Sequence, residues 1–238
     1  MWIPLALKVL FFENLTGHPL TRKNTLPIQH IPASEELFKS GLLINTPVQA
    51  RSNARVTALL DAAAKVVHEK GYEELTTANV AEAAGASIGT VYRYFEDRVK
   101  VLEALAIRNL ERADRRFLDA LEQIDGSAPK DAINVMFEMY LDMFRTEPGF
   151  RSLRLGDVLD IRPRNREPRL TTAARTMTEQ LSFRFGFANN AATVLEIEKA
   201  LVAVDAYLAR AFFNDDRGDV VFIDSARASV MSLSRIAN

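Results

Sequence analysis

The chain has 238 residues, 48% hydrophobic and 26% charged, the mix of an ordinary folded protein and far from a disordered one. Cysteine is absent and the histidines are only His18, His30 and His68, which excludes disulfides, thiol chemistry and thiolate metal sites and leaves a Ser/His/Asp enzyme or a histidine-rich metal centre without its parts. A formal net charge of −1 means that any hold on nucleic acid must come from locally placed donors, since bulk attraction is missing.

Charge is spread evenly. Residues 1–50 carry four Lys/Arg and three Asp/Glu, residues 51–100 seven of each, and residues 101–238 nineteen and twenty-one. No apolar run approaches the ~20 residues of a membrane-spanning helix. The nearest, Trp2 to Phe12, is broken by Pro4 and Lys8 and lacks the basic front of a secretory signal. The expectation is a cytoplasmic protein of bacterial type with no membrane partner, no metal and no cofactor.

Five of the nine prolines fall in residues 1–50, where helical periodicity is missing apart from a short stretch near Glu35 to Leu42. This segment reads as a flexible extension, or as a start assigned upstream of the true one. A second reading gives Trp2, Leu5, Leu7, Phe11 and Phe12 a docking role and makes the chain a helical adaptor.

From Arg55 the pattern changes. Val56, Leu59, Leu60, Ala63 and Val67 keep the 3–4 spacing of an amphipathic helix, closed by Gly71. Thr76 and Thr77 offer N-cap hydroxyls for a short helix from Ala78 to Ala84, Ser87 for the next from Ile88 to Tyr94, and Asp97 for a long one toward Leu121. Further helices are predicted over Asp131 to Arg145, Arg151 to Asp160, Leu170 to Phe185, Ala191 to Phe213 and Asp219 to Ile236. The fold class is all-α: an N-terminal three-helix helix-turn-helix unit (51–100) and a larger C-terminal helical body (101–238).

The pair of short helices carries the functional signal. Counted from Thr77, a small residue at the fifth position (Ala81), glycine at the ninth (Gly85) and an apolar residue at the fifteenth (Val91) meet the steric needs of a helix-turn-helix. The second helix offers Ser87, Ile88, Gly89 and Thr90 at its front, small enough to enter a major groove, and Tyr92, Arg93 and Tyr94 on what is expected to be its outward face. Hydroxyls of Thr90, Tyr92 and Tyr94, with the amides at the helix starts near Thr77 and Ser87, suit phosphate oxygens, and Thr76 and Thr77 belong to the same candidate DNA-binding set. Arg93 is the candidate base reader, because a guanidinium can bridge guanine O6 and N7.

The run Ala62-Ala63, Gly71-Tyr72, Thr76-Thr77, Val80-Ala81, Ala84-Gly85, Ser87, Gly89-Thr90-Val91-Tyr92 and Tyr94-Phe95 resembles the DNA-binding domain of tetracycline-repressor (TetR) family transcriptional regulators. The family's usual Lys, three residues past the Phe, is Arg98 here, a cation that would face a phosphate; the acidic residue that follows it is replaced by Val99. The resemblance implies double-stranded DNA as partner, a homodimer on a near-palindromic operator, and a small-molecule effector in the C-terminal body that releases DNA.

Two further sets of residues are candidates for those roles. Phe137, Tyr140 and Phe144 share one face of their helix and Met136, Met139 and Met143 another; such soft or flat side chains can line a cavity or fill a core, and only one face can line a cavity. The expected pocket is Phe137, Tyr140, Phe144, Met177 and Leu181. The long Ala191 to Phe213 helix and the last helix are apolar on more than one side, so Leu201, Val204, Leu208, Phe222, Val230 and Leu233 are the expected dimer interface. Residues 151–175 hold seven arginines against Asp157, Asp160 and Glu167, which reads as a solvated region.

Overall fold

The computed structural model describes residues 43–44, 50–124, 128–155 and 167–235, with side chains from residue 53 onward in the first helix. The stretch near Glu35 to Leu42 and the aromatic residues of the first dozen lie outside the described residues, as do 156–166. Nine helices follow in order among the described residues: α1 (Ala50–Lys70), α2 (Thr77–Ala83), α3 (Ile88–Tyr94), α4 (Arg98–Glu122), α5 (Pro129–Thr146), α6 (Phe150–Leu153), α7 (Arg169–Phe185), α8 (Ala191–Ala211) and α9 (Val220–Met231), closed by a 3₁₀ turn over Ser232–Arg235. No strand occurs among the described residues.

Local chemistry sets most of the boundaries. Thr76, Ser87, Asp97, Asn190 and Asp219 each accept a hydrogen bond from an amide in the first turn of the helix they precede. Pro129 opens α5 at a position where its missing N–H is no loss. Gly71 and Gly186 end α1 and α7 with φ of 83° and 75°. Two predicted helices end early. Arg154 adopts φ 48°, so α6 stops at Leu153 instead of continuing toward Asp160. α8 stops at Ala211 because the Asp219 amide donates back to the Ala211 carbonyl and folds the chain into α9.

The buried residues form two clusters. One holds Leu59, Ala63 and Val67 of α1, Leu75, Val80 of α2, Val91 of α3, Phe95, and Val101 to Ala106 of α4 with the exception of Glu103. The other fills the body and is built from α5, α7, α8 and α9 with Ala113, Phe117 and Leu121 of α4. α4 belongs to both: its 25 residues, about 37 Å at 1.5 Å per residue, run from the first core into the second.

Three kinds of contact fasten the two cores together. Leu153 of α6 is buried in the N-terminal cluster. Gly149, at φ 74°, lies so close to α1 that a Cβ there would come within 2.8 Å of the Ala64 carbonyl oxygen. Arginines on one side of α4 bridge the rest. Arg108 donates to Asp61 of α1 at 2.8 Å, and Arg112 reaches Asp61 at 3.3 Å and also Glu147. Arg116 pairs with Glu147 at 3.0 Å and Asp142 at 2.9 Å. Burial pushes the Arg108 guanidinium down to about 10 and Arg112 adds to the effect, while Asp61 and Glu147 oppose it, so Arg108 stays charged at neutral pH.

The body buries two sets of expected residues. Leu201, Val204, Leu208, Val230 and Leu233, expected at a dimer interface, are buried in this chain's own core, and Phe222 packs half-buried against it. α8 lies between α7 and α9, which cover its 3–4 apolar stripe from within the same chain. Among the described residues of the body, the large apolar side chains left outside are Phe183 of α7, Leu195, Val202 and Tyr207 of α8, Phe213, and Val220 and Val221 of α9; Val202 is 51% exposed. On α5, both faces are buried, since the helix is packed against α4, α7, α8 and α9 together. Tyr140, Phe144 and Phe150 meet edge to face with centroids 5.4–5.6 Å apart. Phe137 lies under the Arg227 guanidinium, and Met177 and Leu181 of α7 join the same cluster. The Tyr140 hydroxyl donates to Asp205 at 2.8 Å, which also pairs with Arg154.

Candidate nucleic-acid interface

The Gly85-Ala86-Ser87 turn sets α3 against α2. Gly85 has φ 58°, and the Ala86 amide donates back to the Ala81 carbonyl at 2.9 Å, which the small, buried Ala81 allows. Val91 is fully buried, so the face of α3 opposite to it looks outward.

That outward face brings together most of the expected residues. Ser87, Ile88, Gly89, Tyr92 and Arg93 are exposed and Thr90 is half-buried. A Cβ at Gly89 would meet nothing nearer than the Ser87 Oγ, at 3.8 Å, so packing inside the protein does not demand glycine there; its effect is to keep the front of α3 low. The hydroxyls are paired in advance. Ser87 and Thr90 share a hydrogen bond of 3.0 Å, and Thr77 donates to the Tyr92 hydroxyl at 3.1 Å across the two helices. Each oxygen retains a lone pair or proton for a further partner. At the helix starts, the Asn79 and Thr90 amides are taken up by the Thr76 and Ser87 caps. Arg98 is exposed and donates to the Glu73 carbonyl at 3.1 Å, which holds its guanidinium at the edge of the unit.

Tyr94 is the exception. It was expected on the outward face but is only 5% exposed, packed in the N-terminal core. Three residues after Val91 on a helix, it shares the inward side. Its ring supports Arg93 instead, whose guanidinium carbon lies 5.2 Å from the ring centroid.

Residues 59–105 match the model of bacterial regulatory proteins, tetR family, and residues 127–234 match that of the tetracyclin repressor-like C-terminal domain. A TetR-family transcriptional regulator from Streptomyces coelicolor superposes with a TM-score of 0.66 at 31% identity, covering 76% of this chain and 99% of that one. The chain belongs to the tetR family. It is thus a DNA-binding transcriptional regulator and not an enzyme. Among curated relatives, the nucleoid occlusion factor SlmA of Pasteurella multocida is 28% identical over 141 residues, 58% of this chain and 67% of the relative. The transcriptional repressor KstR of Mycolicibacterium smegmatis is 35% identical over 78 residues, 33% of this chain and 37% of its own length. Among the described residues no helix is long and apolar enough to cross a membrane.

Within this tetR-family fold the structure adds residues that the sequence pattern did not reveal. Leu43, seven residues ahead of α1, is buried in the N-terminal core, and the Ile44 amide donates to the Tyr94 carbonyl at 2.9 Å. Leu43 and Ile44 of the 1–50 segment are therefore part of the N-terminal unit. Their one signal was the apolar run Leu42-Leu43-Ile44. Asp61, Arg108, Arg112 and Glu147 were also missed, although Arg108, Arg112 and Arg116 recur every four residues, the spacing of a single helix face.

Proposed function

We propose that the chain is a ligand-responsive repressor that binds a near-palindromic operator as a homodimer, with residues 51–100 as the DNA-binding unit and 101–238 as the effector and dimerisation body, acting in the cytoplasm. The observation that carries the DNA contact is the bare outward face of α3. Ile88, Gly89 and Arg93 face base edges, while Thr77, Ser87, Thr90, Tyr92 and Arg98 meet phosphates. The exposed apolar residues of α8 and α9, Leu195, Val202, Val220 and Val221, support a two-fold interface in which α8 and α9 of two copies pack together. The Tyr140, Phe144 and Met177 region of α5 and α7, with the polar Asp205–Arg154 pair beside it, supports an effector with an apolar body and a polar group.

The test is fluorescence anisotropy of the purified protein on DNA from upstream of its own gene and on shuffled DNA, at two salt concentrations. Selective, salt-sensitive binding is expected. Thr90→Ala combined with Tyr92→Phe weakens binding to all duplexes about equally, whereas Arg93→Ala costs roughly 1–3 kcal/mol of discrimination at one base step. Titrations identical to the unsubstituted protein for all three changes would refute the assignment of this face.

A further inference from the structure

The recognition helix α3 has seven residues, fewer than two turns, and a helix that short does not hold itself together. Its N-terminus is fixed by the Ser87 cap and the turn from α2. At its C-terminus Phe95 is already extended at φ −120° and its amide closes on Val91; the last carbonyls of any helix have no intrahelical donor. The Tyr94 carbonyl is met from outside the α2–α3 pair, by the Ile44 amide at 2.9 Å. Leu43 next to it is 4% exposed and sits in the same apolar cluster as Tyr94 and Phe95. The Ile44 side chain points away and is 55% exposed, so the bond is made by its backbone alone.

We infer that Leu43-Ile44 is a strap that positions the recognition helix, and that base selectivity at the step read by Arg93 depends on it. The line of contact is short. Ile44 N–H holds the Tyr94 carbonyl, Leu43 and the Tyr94 ring share one core, and the outer side of that ring carries the Arg93 guanidinium at 5.2 Å. Loosening the strap frees the last turn of α3 and with it the platform under Arg93. The inference rests on the DNA-binding reading of α3 for its effect on selectivity, but not for its effect on the order of the helix. It also gives Leu43 and Ile44 a task inside the DNA-binding unit, where composition suggested a flexible extension.

Two measurements on the full chain decide it. The first uses a duplex enriched by the unsubstituted protein from a random-sequence library, with a shuffled duplex as reference. Ile44→Pro removes the amide donor and is expected to reduce the ratio of the two affinities about tenfold, with the loss concentrated at the base pair that Arg93→Ala also relaxes. Ile44→Ala keeps the amide and is expected to stay within about twofold. The second is amide hydrogen exchange read by mass spectrometry. Leu43→Ala is expected to speed exchange in a peptide covering residues 88–95 at least about tenfold while peptides from α5 and α8 stay unchanged, and Leu43→Met is expected to restore protection. Unaltered selectivity in Ile44→Pro, or a rise in exchange spread evenly over α5 and α8, overturns the strap. Enrichment of no duplex by the unsubstituted protein counts instead against the DNA-binding face, and the exchange measurement then judges the strap alone.

Discussion

Gly149 offers a test of how closely the body is docked on the N-terminal unit. Replacing it by alanine brings two penalties. At φ 74° an L side chain sits in the left-handed region, which costs about 1–2 kcal/mol. The added Cβ would also lie 2.8 Å from the Ala64 carbonyl oxygen and 3.3 Å from two Val67 carbons. The nearest atom is backbone in the middle of α1, so relief requires α6 and its buried Phe150 and Leu153 to retreat, costing about a further 1–3 kcal/mol. Gly71 is the matched control: its φ is 83°, but an added Cβ would meet nothing within 4 Å. Gly71→Ala should therefore show the conformational cost alone. At about 2–4 °C per kcal/mol for a chain of this size, the expectation is a fall in Tm of roughly 4–20 °C for Gly149→Ala and roughly 2–8 °C for Gly71→Ala. Circular dichroism at 222 nm reads both at one fixed protein concentration, because association would otherwise shift the midpoint. Equal losses in the two variants would refute the close contact between the α5–α6 turn and α1.

Glu147→Gln keeps the shape of a buried side chain and removes the charge that holds Arg112 and Arg116. Because both arginines are about one-third exposed, the loss is expected at about 1–3 kcal/mol, below that of a fully buried pair, measured by urea unfolding. A double-mutant cycle with Asp61→Asn should show coupling, since both acids bind Arg112. On α8 two neighbours should behave oppositely. Leu201→Ala, in the core, is expected to cost about 2–5 kcal/mol of stability. Val202→Glu, on the surface, is expected to leave the fold intact and shift sedimentation velocity toward the monomer.

What the sequence made legible was local. Thr76, Ser87, Asp97 and Gly71 mark helix ends through bonds and backbone angles that involve residues within a few positions, so they could be read without a fold. The Ala81, Gly85 and Val91 pattern is equally local, which is why the helix-turn-helix stood out. Tyr94 could have been placed inward from its spacing to Val91; its resemblance to an aromatic on the outer face hid that. The apolar rhythm of α8 was of a different kind. Val194, Ile197, Leu201, Val204 and Leu208 show that the helix has a face to bury, but hydrophobicity is non-directional and does not say whether the cover is α7 and α9 of the same chain or a second copy. Only the packed structure separates Leu201 from Val202. Leu43 was hidden for the opposite reason: one buried leucine in a proline-rich stretch has no period to reveal it.

The contacts between the two cores also limit how they can move. A rotation of the N-terminal unit against α5 must separate Glu147 from Arg112 and Arg116, or Asp61 from Arg108, because these pairs span α1, α4 and the end of α5. Glu147 is buried, and a carboxylate left there without its partners costs several kcal/mol. Gly149 against Ala64 prevents the turn from sliding inward, and Leu153 would expose apolar surface if the turn moved out. α3 and the end of α5 are therefore parts of one mechanical unit. Any change of shape in the body that reaches Thr146 and Glu147 must either carry α1, and with it α2 and α3, or exchange these ion pairs for others.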